Sequence, residues 1–208
     1  MRSFLLIGLA AIAGVAQPFT FGVRAGVPVT DFFSGSGTAM FPYTSITNRY
    51  LIGPTVELRL PFGFGVEFDA LYRHFSFSSP GLTPNPSNQL PGLEQVNSGA
   101  WEFPLMAKYR FPSKVVRPYV DAGIAWNKVS GLSTLYCFLN CFSADPPSLR
   151  HSTVTGFVAG AGIDVHLLFL HVSPEIRYTH WGAQQFQSPA GGFGSSQNEA
   201  EVLLGITL

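Results

Sequence analysis

Residues 101–111 read WEFPLMAKYRF. Trp101, Phe103, Leu105, Ala107, Tyr109 and Phe111 occupy every second position, with Glu102, Met106, Lys108 and Arg110 among the residues between them. Successive side chains of a β-strand point to opposite faces, so this stretch predicts a strand with one apolar and one charged face. A helix would scatter the same residues around its axis.

The alternation extends over Gly99–Phe111 and recurs in seven other runs: 19–28, 50–60, 64–75, 117–128, 153–165, 170–180 and 198–208. Each is about the 9–11 residues that a tilted strand needs to cross a bilayer. The connections alternate in length. Short ones follow the second, fourth and sixth runs, around 61–63, 112–116 and 166–169. Long ones, rich in Gly, Pro, Ser and Asn, cover 29–49, 76–98, 129–152 and 181–197. Short turns at one end and long loops at the other are the layout of a bacterial outer-membrane barrel with both termini periplasmic.

Composition agrees. The 208 residues carry 12 basic and 12 acidic side chains, 12% charged in all, against 46% hydrophobic, with 22 Gly and 19 Phe. Typical soluble domains hold roughly 25% charged residues. Mean hydropathy is +0.23, yet beyond the N-terminus no apolar run approaches the ~20 residues of a membrane helix. A charge-balanced chain offers no electrostatic footprint for nucleic acid. Disordered, coiled-coil and helical membrane proteins are excluded.

Met1 to Ala16 reads MRSFLLIGLAAIAGVA, a basic start, an apolar stretch and small residues at Gly14 and Ala16. That is the pattern of a secretory signal peptide. Its removal takes away Arg2 and leaves a net charge of −1. The expected organisation is therefore a signal peptide over 1–16 and a barrel domain over 17–208. The fold class is all-β: an eight-stranded antiparallel up-and-down transmembrane β-barrel.

Alternation alone does not say which face is the core, since a soluble barrel would bury its apolar side. The charged residues decide it. Arg24, Glu57, Arg59, Glu67, Asp69, Arg73, Glu102, Lys108, Arg110, Asp121, Asp164, Glu175, Arg177, Glu199 and Glu201 share one face, 15 of the 24 charges, and the loops are left charge-poor. Glycines share that face too, and long charged chains in a narrow eight-stranded lumen need small neighbours. Tyr50, Tyr72, Trp101, Trp126 and Tyr178 mark the loop ends of the apolar face, and Phe64, Tyr109 and Phe111 the turn ends, as in two interfacial girdles. The apolar face meets lipid, and the charged face forms a structural network of ion pairs inside.

WEFPLMAKYRF, RPYVDAGIAW (117–126), GFVAGAGIDV (156–165), PEIRYTHW (174–181) and the ending NEAEVLLGITL are similar to the bacterial outer-membrane β-barrel domain family. Within it, the layout resembles the small eight-stranded barrels of the OmpA transmembrane-domain and OmpX type. The resemblance spans the mature chain and implies outer-membrane lipid and the barrel-assembly machinery as partners. Such barrels usually end in Phe or Trp; this chain ends in Leu208.

No phosphate loop, nucleophile elbow, H-E-x-x-H or zinc spacing occurs, so no cofactor, metal ligand or catalytic residue is assigned. His74 and His180 share the outward parity near the loop end, with Ser76, Ser78 and Thr179 nearby. A His–Ser pair there would suit deacylation of lipid, but no carboxylate of that parity orients it. Cys137 and Cys141 form a C-x3-C pair, read as a local disulfide in an oxidising compartment. Phe32, Phe33, Met40, Phe41, Pro42, Tyr43, Phe138 and Phe142 put apolar surface in the loops, where an extracellular partner would bind or a cap would pack. The leading expectation is a monomeric barrel with a structural or surface-interaction role. The alternatives are a lipid-modifying barrel enzyme and, third, a soluble periplasmic ligand-binding barrel.

Overall fold

The computed structural model describes residues 19–35, 44–47, 50–82, 91–113, 116–137, 141–143, 149–167, 170–187 and 193–208, with backbone alone at 33–35, 44–47, 76–82, 91–96, 131–137, 141–143 and 193. Residues 1–18, which include the expected signal peptide, and the loop residues Met40, Phe41, Pro42, Tyr43 and Phe138 lie outside the described residues.

The strands are β1 (Phe19–Pro28), β2 (Phe33–Gly35), β3 (Thr44–Thr47), β4 (Leu51–Arg59), β5 (Phe64–Asp69), β6 (Leu71–Leu82), β7 (Pro91–Arg110), β8 (Val116–Cys137), β9 (Cys141–Ser143), β10 (Thr153–Leu167), β11 (Leu170–Trp181), β12 (Phe193–Ser195) and β13 (Asn198–Thr207). Eight antiparallel wall strands close on themselves: β1, β4, β5 continued by β6, β7, β8, β10, β11 and β13, with β13 returning to pair β1 through Gly22–Thr207 to Pro28–Glu201. Closure leaves the eight-stranded wall without a free edge, which is the condition for strands to cross hydrocarbon. β5 and β6 are one wall strand interrupted at Ala70, whose N–H donates to the Pro54 carbonyl at 3.0 Å.

Two strands outrun the sequence reading. β7 begins at Pro91 and β8 runs to Cys137, so part of the expected loops 76–98 and 129–152 is hairpin: Ser76 faces Asn97 and Gln95 faces Leu135. Beyond the bilayer a hairpin needs no apolar face, so Ser, Pro, Gly and Asn conceal it from a test of alternation. A register shift between Asn97 and Gly99 marks the change.

Burial alternates along the walls as e-B-e-B in β5 and β10. Phe21, Val23, Ile52, Phe64, Leu105, Val120, Ile124, Phe157, Ile176, Val202 and Ile206 are exposed, whereas Arg24, Glu57, Glu67, Asp69, Arg73 and Arg177 are buried. Glycine makes the narrow interior possible where it matters most. A Cβ on Gly160 would strike the Asp121 carboxylate and stand 3.0 Å from Glu175 Oε1. At the β4–β5 connection, Pro61–Gly63 forms a 3-10 turn with both Phe62 (φ 65°) and Gly63 (φ 85°) left-handed. That conformation suits Gly63 and strains Phe62.

Candidate functional site

The turn-end tier of the lumen is organised by Arg110. Its guanidinium grips Glu57 with both terminal nitrogens, Nη2 to Oε2 at 2.5 Å, and its Nε donates to Asp164 Oδ2 at 3.1 Å. Asp164 Oδ1 also meets His171 Nδ1 at 3.2 Å and accepts from Ser173 at 3.3 Å. Arg59 Nη1 donates to His171 Nε2 at 3.2 Å. A guanidinium can only donate, so Nε2 accepts and the ring proton sits on Nδ1 toward Asp164.

The middle tier draws charges from five wall strands, β1, β5, β7, β8 and β11. Arg24 Nη1 lies 2.6 Å from Glu67, 2.8 Å from Glu175 and 3.3 Å from Asp69. Arg177 bonds Glu175 through Nε at 2.8 Å and Asp69 through Nη2 at 2.9 Å. Lys108 donates to Glu67 at 2.5 Å, stands 3.8 Å from Asp121, and lies 4.1 Å over the Tyr119 ring. The Tyr119 hydroxyl donates to Glu175 Oε2 at 2.9 Å. Charges taken out of water in this way hold only while their partners stay in place.

The loop-end tier begins with Arg73, paired to Glu199 and 4.0 Å from Glu102. Trp181 Nε1 donates to Glu199 Oε2 at 3.0 Å, and Glu201, buried beside it on β13, faces Arg177 in register. Above them three rings close the mouth. Phe32 stacks on Phe75 at 4.8 Å, and Phe186 meets both edge-on at 6.4 and 5.7 Å. Arg73 lies under Phe32 at 4.9 Å. Gln185 locks the incoming loop, its Nε2 donating at 3.1 Å to both the carbonyl and Oδ1 of Asn127. Ser195 Oγ accepts the backbone N–H groups of Gln185 and Phe186.

A cleft of about 540 Å³ lies at the turn end beside Arg59, Phe62 and Arg117, and one of about 600 Å³ at the loop end beside Arg150, His151 and Gln184. Outward, Tyr50, Phe64, Phe111 and Tyr178 are about half exposed, and Tyr72, Trp101, Tyr109 and Trp126 are partly so. Tyr72 packs on Trp101 at 5.1 Å and Phe64 on Tyr109 at 5.0 Å. His180 Nδ1 is 2.8 Å from Asn198 Oδ1, which also accepts from the Tyr178 hydroxyl at 2.7 Å. His74 stands on β6, with β7 and β4 as its neighbours, away from His180 on β11. Cys137 faces Cys141 across the β8–β9 ladder; their side chains lie outside the described residues.

A family model for the outer membrane protein β-barrel domain matches residues 3–200. The chain belongs to that family. This outer-membrane β-barrel shares its fold with OprG of Pseudomonas aeruginosa at a TM-score of 0.57, with 13% identity over 91% of this chain and 93% of that one. Neisserial surface protein A matches at 11% identity and TM-score 0.47, over 91% and 95% of the two chains. Outer membrane protein W of E. coli matches at 20% and 0.43, over 89% and 97%. No curated protein sequence matches.

Tyr119, Asn127, Trp181, Gln185 and Phe186, with the buried Leu51, Leu71, Leu203, Val154 and Val158, are among the interior residues that alternation did not single out. Tyr119 has the parity of Asp121, and Trp181 that of Arg177 and Thr179, so extending the face by one step finds both. Gln185 and Phe186 sit in a loop, where parity carries no signal.

Proposed function

We propose that this outer-membrane barrel has a structural or surface-interaction role in the bacterial envelope, with a lumen filled by charged side chains and neither a channel nor a catalytic centre inside it. The carrying observation is the succession of packed groups along the interior. Arg110 with Glu57 and Asp164 is followed by the Arg24–Arg177–Lys108 group, then Arg73 with Glu199, then the Phe32–Phe75–Phe186 rings. An eight-stranded barrel has room inside for side chains and little more.

Both chain ends of the barrel lie at the turn end, where the Leu208 N–H donates to the Phe21 carbonyl at 3.0 Å. Short periplasmic turns in this class of protein put those ends in the periplasm. On this reading residues 1–16 are removed on export and the barrel works as a monomer. It meets lipid through its outer face and any extracellular partner through its loops. Lipid modification through His74 or His180 has less behind it, because His180 has Asn198 as its partner where a hydrolytic His needs a carboxylate.

Planar-bilayer recording of the refolded barrel tests the reading. Insertion without steady ohmic steps is the expected result. A stable conductance typical of a water-filled pore overturns it.

A further inference from the structure

Glu102, Glu199 and Glu201 each bring a carboxylate oxygen within 4.8 Å of the other two, in the loop-end half of the lumen. Glu102 stands on β7 and the others on β13. Those strands are opposite walls, separated by β5 and β6, β4 and β1 one way round and by β8, β10 and β11 the other. The carboxylates therefore meet across the full width of the barrel.

Glu199 is satisfied by Arg73 and Trp181. Glu102 and Glu201 are not. They are 2% and 1% exposed, and none of their four oxygens accepts a hydrogen bond; the nearest cation contact is Arg73 Nη2, 4.0 Å from Glu102 Oε2. Thr179 Oγ1, facing Glu199 in register on β11, is likewise buried without a partner.

Arg73 Nε and Nη2 and Arg177 Nη1 are buried without a hydrogen-bond partner as well, so repacking can pair single oxygens but cannot balance the charge. Among the described residues, the buried cations above the Arg110 tier are Arg24, Arg73, Lys108 and Arg177, against Glu67, Asp69, Glu102, Asp121, Glu175, Glu199 and Glu201. With every carboxylate ionised, three negative charges remain over however the pairs are drawn. Carboxylates this close and this dry either take up a proton or share a counter-charge. All the donors at hand are hard oxygens, the ligand set of calcium. Two oxygens sharing one Ca²⁺ at 2.3–2.6 Å stand at most about 5 Å apart, which spans the observed spacing.

We infer that Glu102 and Glu201, flanked by Glu199 and Thr179, bind one divalent cation of the calcium class. The ion ties opposite walls of the barrel together beneath the Phe32–Phe75–Phe186 rings. Its binding is separate from the envelope role proposed above and stands or falls by its own experiment.

The chain is unfolded in chelator, refolded into detergent micelles with or without calcium, desalted and assayed for retained metal. One calcium per barrel is expected, with a urea midpoint higher than that of the calcium-free barrel. Glu102→Gln, Glu201→Gln and the double variant remove free carboxylates without removing bulk. They are expected to fold, as judged by heat-modifiable mobility, and to lose both the calcium and its effect on the midpoint. Terbium adds a position-sensitive probe. Trp181 is hydrogen-bonded to Glu199, so its excitation sensitises Tb³⁺ emission; Trp181→Phe abolishes the emission and keeps the calcium. A wild-type barrel that refolds yet retains no calcium and shows an unchanged midpoint overturns the inference, since protons then supply the balance. Undiminished calcium in the folded double variant overturns it equally, by placing the ion elsewhere.

Discussion

Arg24 and Glu175 are 151 residues apart in sequence and meet at 2.8 Å inside the barrel. Their strands, β1 and β11, both pair with β13, so the contact joins next-nearest walls across the strand that closes the cylinder. Arg24→Ala leaves Glu175, Glu67 and Asp69 short of a cation in a dry interior. Removing one member of such a buried pair costs about 3–5 kcal/mol. Val23→Ala, one residue along and facing outward, removes two methyl groups and costs at most about 2 kcal/mol. Urea unfolding in detergent micelles is expected to rank the two in that order, against the ranking of an ordinary soluble protein, where an arginine is cheaper to lose than a core valine.

Phe186 is fully buried although it lies on a loop, held by its ring contacts to Phe32 and Phe75 and by its N–H to Ser195. Phe186→Ala removes one ring of the closure while leaving the wall ion pairs intact. Truncating a buried Phe costs about 3–5 kcal/mol, and here the cost falls on the closure of the loop end. Hydrogen exchange is expected to accelerate at Gln185, Phe186 and Ser195, with exchange in β11 and β13 nearly unchanged. Acceleration spread evenly over the walls would show instead that the rings support the whole barrel.

The Cys137–Cys141 register pair places two backbones at the roughly 4.5–5.5 Å Cα spacing of directly opposed antiparallel residues. Disulfides need about 4.4–6.8 Å. Protein prepared from the envelope is therefore expected to resist thiol alkylation when denatured without reductant, and to take up two labels after reduction. Free labelling of both thiols before reduction contradicts the pairing.

Much of this was legible because the physical demand on each wall residue is binary. Phe64, Val66 and Phe68 face one environment, Gly65, Glu67 and Asp69 the other, and the bilayer keeps charge off the outer face. The charged face was visible from Arg24 to Glu201 for the same reason. Which charges pair was not visible. Arg24 reaches Glu67 and Glu175 rather than a cross-strand neighbour, since register fixes only adjacent strands and the interior contacts cross the lumen. The loop-end closure was illegible for a different reason. Gln185 and Phe186 are placed by a hydrogen bond to Asn127 and by ring packing, neither of which leaves a periodic trace. The long hairpins escaped notice because outside the membrane polar residues on both faces cost nothing.

The assignment of faces on which everything above depends can be measured through the three tryptophans. Trp101 and Trp126 point outward from neighbouring strands, and Trp181 is 3% exposed inside. Variants retaining one tryptophan each, reconstituted in bilayers of brominated lipid, report directly which indoles touch acyl chains. Strong quenching of Trp101 and Trp126 and near-complete protection of Trp181 are expected. Quenching of Trp181 to the same extent, or protection of Trp101 and Trp126, would contradict it.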